Sequence, residues 1–121
     1  MQPKRHVVTL NWDDEKGLMP DPEPILLSPN DTIFFRAGVL PPGFTGAGAV
    51  RVAFEPQTCL SRSTFHENDG MGDIEVKSAL PHSIHYDCEL LLDGIPQPQP
   101  EKTPGGTGKP VGGGGGGDSG N

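Results

Sequence analysis

Long apolar runs are missing from this 121-residue chain. No stretch approaches the ~20 apolar residues that a membrane-spanning helix needs, and the N-terminal MQPKRHVVTLNWDDE lacks the apolar centre of a secretory signal. As written, the chain is expected to stay in the cytoplasm and to make no membrane contact. Basic residues are also scarce, nine Lys and Arg against 16 Asp and Glu, for a net charge of −7. Those before Gly94 stand singly except for Lys4 and Arg5. Binding a polyanion requires clustered cations that displace counterions from phosphates, so nucleic acid is not an expected partner. Helical periodicity is absent as well, since no segment before Gly94 keeps apolar residues at i, i+3, i+4 and i+7 for three turns.

Cysteine is limited to Cys59 and Cys88. A bridge between them would close a loop of about 30 residues, but in a reducing compartment two lone cysteines read as small buried hydrophobes. Five Phe, one Trp and one Tyr are all the aromatics available. A small domain buries a modest fraction of its surface, so most of these rings are needed inside.

What is present is alternation. From Ile84 to Asp93 the apolar Ile84, Tyr86, Cys88, Leu90 and Leu92 share one parity, and His85, Asp87, Glu89 and Asp93 the other, with Leu91 as the exception. A period of two describes a strand with one face on a core and one in water. The same pattern recurs in Arg5 to Trp12, Thr32 to Arg36, Val50 to Phe54 and Asp73 to Ser78, with shorter candidates at Ile25 to Leu27 and Ser63 to Phe65. Ser28, Pro29, Asn30 and Asp31 form a turn signal, because Pro presets φ and Asn or Asp side chains bond back to the backbone. The acidic DDEKGLMPDPEP is expected to stay unpaired because of its prolines. The reading is all-β: an antiparallel sandwich of about seven short strands.

The sandwich is assigned to residues 1–94 and a flexible tail to 95–121. That tail holds five prolines, ten glycines and two aliphatic residues, too little apolar surface to offset the entropy of ordering it.

The late strand Tyr86-Asp87-Cys88, followed by Gly94, and the turn and strand from Ser28 to Phe35 resemble cupredoxin-like sandwiches; an immunoglobulin-like sandwich shares much of the pattern. The resemblance implies the fold and not the metal. Type 1 copper needs a His, and often a Met, shortly after the Cys, and neither His nor Met follows Cys88. No cofactor is expected.

Other constellations are thin. His82 and Cys88 share a strand parity but lie ~20 Å apart at ~3.3 Å per residue, with His85 on the other face. A nonstandard copper or zinc site from Cys88, His66 and His85, with Met71 nearby in sequence, is the alternative reading. Asp13-Asp14-Glu15 and Asn68, Asp69 and Asp73 lack the spacing of a calcium loop. Cys59 with His66, or Ser63 with His66 and Asp69, have no nucleophile elbow around them. Gly43 to Gly48 lacks the Lys-Ser/Thr and the helix of a phosphate cradle.

These exclusions leave a non-catalytic protein-interaction or accessory module. Its expected contact surface is either exposed edge strands or the Gly/Pro loop 38–48, with the tail supplying reach, Val39, Leu40 and Phe44 as the anchors and an unidentified protein as the partner. Phe44 is either an anchor or a lid over the core.

Overall fold

A computed structural model of the chain describes residues 2–44, 48–55, 58–67, 72–99 and 105–111. Among them there is no helix. Ten strands follow in chain order: β1 (Arg5–Asp13), β2 (Gly17–Asp21), β3 (Ile25–Leu27), β4 (Thr32–Ala37), β5 (Val50–Phe54), β6 (Thr64–His66), β7 (Ile74–Glu75), β8 (Ile84–Leu92), β9 (Ile95–Pro96) and β10 (Gly106–Pro110). One sheet has the order β2-β1-β4-β7. The other runs β3-β10-β8-β5-β6, with β9 beside β8.

The sheets are mixed rather than antiparallel throughout. β1 and β4 run parallel, from Arg5 opposite Thr32 to Leu10 opposite Ala37, and β3 runs parallel to β10. The cause lies between the paired strands. β2 turns back along β1, and β3 then crosses to the second sheet, so the chain re-enters the first sheet in the direction of β1. β2 itself corrects the expectation that the prolines keep 13–24 unpaired: Leu18 and Pro20 are buried, opposite Trp12 and Leu10. An edge strand bonds one neighbour only, so a proline there costs no ladder hydrogen bond on its free side.

The alternating residues form the core as expected. Val8, Leu10, Ile33, Phe35, Val50, Val52, Ile74, Val76, Ile84, Tyr86, Cys88 and Leu90 are all buried. Phe35 is central, its ring centroid 5.2 Å from Tyr86, 5.5 Å from Phe65 and 6.0 Å from Phe54. Such tilted and edge-on pairs add about 1 kcal/mol each beyond the area they bury. The alternation of β8 breaks one residue earlier than expected. Leu91 is buried and Leu92 exposed at the point where the β5–β8 register ends, the Leu91 N–H still bonding the Ala49 carbonyl before the chain folds back as β9.

The largest departure is β10. It lies within the segment read as a flexible tail, yet it sits between β3 and β8, with Gly106 opposite Tyr86 and Gly108 opposite Ile84. Its glycines leave room rather than provide flexibility. A Cβ on residue 106 would come 2.0 Å from Tyr86 Cζ, and one on residue 108 would come 3.1 Å from Leu27 Cδ1. The Tyr86 side chain fills the space that a side chain at 106 would take, and so supplies the apolar contact that the glycine strand lacks.

Asp31 closes the opposite end of the first sheet. Its carboxylate accepts the Lys4 and Ser28 backbone N–H groups at 2.8 and 3.0 Å and lies 2.8 Å from His6 Nε2. Burial pushes this carboxyl pKa up, but the His6 contact and the two N–H donors outweigh burial and hold it below the ordinary aspartate value.

Candidate partner-binding surface

β4 ends at Ala37, opposite Leu10, and beyond it the chain still follows the last residues of β1. The Gly38 N–H donates to the Leu10 carbonyl at 2.8 Å, and the Trp12 N–H donates to the Val39 carbonyl at 2.7 Å. The Val39 N–H donates to Asn11 Oδ1, also at 2.7 Å. Residue 38 must be glycine for this: a Cβ there would lie 2.1 Å from the same Asn11 oxygen. Val39 is nevertheless 74% exposed. A branched apolar residue is thus held in water by two hydrogen bonds of its own backbone, one to the Asn11 side chain, and by a third at its neighbour Gly38.

Leu40 and Phe44 behave differently. Both are partly buried and pack against the core, as does Trp12. Of the two roles open to Phe44 from sequence, its placement matches the lid. Between Trp12 and the loop runs an open cleft of about 420 Å³ lined by Trp12, Asp13, Asp14, Val39, Leu40, Pro41 and Pro42. Asp14 Oδ1 accepts the Trp12 indole N–H at 2.9 Å, which fixes the ring. Asp13 Oδ1 accepts the Glu15 and Lys16 N–H groups and so shapes the β1–β2 turn.

The loop then leads to β5, whose first residue, Val50, pairs with Leu90 near the end of β8. Leu92 and Ile95 emerge there, 43% and 64% exposed. Exposed aliphatic residues are thus carried by the strand ends on either side of this loop.

Searches against protein-family models, curated proteins and solved structures gave no match.

The alternative ligand set is not brought together. Cys88 lies opposite Val52 and points into the core, whereas His66 lies opposite Arg51 and shares with it the outward face. His85 also faces outward and contacts Asp87 at 3.1 Å. Burial first, and the Asp87 charge second, push the Cys88 thiol pKa up to about 12. A thiol this reluctant to ionise is a poor nucleophile. Among the described residues, no group of three or more His, Cys, Asp or Glu is placed to hold a metal ion. Cys59 is buried and free, as is Cys88. Asn68, Asp69 and Met71, named in the calcium, triad and metal readings, lie outside the described residues, as does the middle of the 43–48 loop. Asp73 instead takes Arg5 in a 2.7 Å ion pair.

Sequence reasoning named Val39, Leu40 and Phe44 in this loop and did not single out Trp12, Asn11, Gly38 and Asp14, which the structure places around Val39 and the cleft. The available signal was Gly38 directly after a strand whose neighbour carries an Asn at the matching height.

Proposed function

We propose that this chain is a non-catalytic protein-interaction module whose contact surface is the Val39 end of the sandwich, with Trp12, Leu40 and Phe44 as its packed base. One observation carries the reading: Val39 is exposed yet fixed by hydrogen bonds from and to its neighbours. An apolar residue already ordered in the free protein loses little entropy when a partner covers it, which is the property of a binding anchor. A solvated loop without such a role would gain nothing from an ordered valine in water.

The fold is proposed to be cupredoxin-like. The parallel β1–β4 pair favours this over the immunoglobulin-like alternative, whose two sheets are antiparallel.

The test is quantitative capture from the native source with the full chain and with Val39→Ser as baits. A partner recovered by the wild type and reduced at least about tenfold by the substitution, equivalent to about 1.4 kcal/mol, supports the reading. Equal recovery of every specific partner by both baits refutes it.

A further inference from the structure

We infer that the cleft between Trp12 and the Val39–Pro42 segment takes a cationic, proline-containing extended segment of a partner protein. The inference rests on the interaction-module reading and adds the chemistry of the partner.

The cleft has two kinds of wall. Trp12, Val39, Leu40, Pro41 and Pro42 supply apolar surface, and Asp13 and Asp14 supply carboxylates. Among the described residues neither carboxylate is paired with a lysine, arginine or histidine, and no cationic side chain lines the cleft. The charge facing an incoming segment is therefore negative, on a chain whose net charge is −7. A partner carrying Lys or Arg gains from this field both on approach and in the complex.

The indole narrows the choice further. Its N–H is already donated to Asp14, so the ring offers an apolar surface and no free donor. Prolyl rings suit such a surface. They bring no backbone N–H that needs an acceptor, and a proline-rich segment is already extended before it binds, so it loses little entropy. A guanidinium beside the prolines can stack on the indole while reaching a carboxylate.

Trp12 is the only tryptophan in the chain, so its emission reports on this cleft alone. The probe is a synthetic peptide of sequence Arg-Pro-Leu-Pro-Arg-Pro-Leu-Pro, titrated into the full chain. Saturable change in Trp12 emission that weakens as salt is raised is expected. Asp13→Asn/Asp14→Asn keeps both side-chain oxygens that hold the turn and the indole but removes the charges. It should bind about tenfold more weakly, from about threefold per exposed charge, with unchanged thermal unfolding. Val39→Ser should weaken binding without altering salt dependence.

Absence of binding at about 1 mM peptide, a threshold for interactions weaker than functional ones, overturns the inference. So does equal binding of the peptide with Glu in place of Arg, or an unaltered affinity in the double Asn variant. Sedimentation showing a dimer that Val39→Ser dissociates would place a second copy in the cleft and also overturn it. If the bait comparison succeeds through Val39 while this peptide fails, the partner chemistry is wrong and the module reading stands. If the bait comparison fails, the module reading itself falls.

Discussion

A single methyl group on residue 106 should unfold this protein at a markedly lower temperature. In Gly106→Ala the new Cβ would meet Tyr86 Cζ at 2.0 Å, Oη at 2.2 Å and Cε1 at 2.5 Å. Comfortable carbon contacts need about 3.5–4.0 Å, so ring or strand must move by about 1.5 Å. The ring has nowhere to go. It is fully buried and hemmed by Phe35 and Phe54, with centroids at 5.2 and 5.0 Å. Overpacking of this kind costs about 1–3 kcal/mol, and the absence of slack argues for the upper end, ~3 kcal/mol. For a domain near 100 residues each kcal/mol lowers Tm by roughly 4–8 °C, which gives a drop of roughly 12–24 °C. Gly108→Ala is the internal control, because its nearest atoms, at 3.1 and 3.2 Å, are side-chain carbons of Leu27 and Ile84 that can yield. Its cost should stay below about 1 kcal/mol. Thermal unfolding followed by circular dichroism separates the two. Replacing Tyr86 by Leu in the Gly106→Ala background should recover part of the loss, since only contacting residues couple. A Tm for Gly106→Ala within about 2 °C of wild type, less than 1 kcal/mol, would mean that residue 106 does not face Tyr86 and that β10 is misplaced.

Among the described residues Tyr86 Oη is buried with no hydrogen-bond partner, and burial drives its phenol pKa far above the ordinary value. Tyr86→Phe should therefore hold or raise stability, by up to about 1 kcal/mol in denaturant unfolding; a loss of that size would reveal a partner for the hydroxyl. Asp31→Asn should cost about 2 kcal/mol at pH 7, the scale of charged hydrogen bonds. Because the folded-state pKa of Asp31 lies below the unfolded one, its contribution is complete above an unfolded value of ~3.9 and is lost as pH falls through the folded value. The gap between wild type and variant should hold from pH 5 to about 4 and close below, and a gap unchanged at the lowest pH would contradict the assignment. Cys59 and Cys88 should resist a thiol reagent in the native protein and react fully in denaturant; fast native labelling of Cys88 would contradict its burial.

The strands with clear alternation were legible because burial of one face is written residue by residue: Val8 and Leu10, Ile33 and Phe35, and Ile84 through Leu90 all point as their parity requires. β10 was not, because the residue that makes it a strand is Tyr86, 20 positions away, and Gly106 looks locally like a linker. β2 was hidden by Pro20, which only the edge position of that strand makes tolerable. At the candidate surface, exposed aliphatics in a Gly/Pro loop were visible from sequence. Their rigidity was not, since it depends on Asn11 and Trp12 reaching Val39 across the parallel strands.

Amide hydrogen exchange at Trp12, Gly38 and Val39, followed by NMR in the free full chain, puts the rigid-anchor claim to its shortest test. All three N–H groups are bonded and should exchange far more slowly than in an unstructured peptide, although the Val39 side chain stands in water. Exchange at Gly38 and Val39 at unstructured rates would make Val39 part of a mobile loop and remove the basis for an interaction surface at that end of the sandwich.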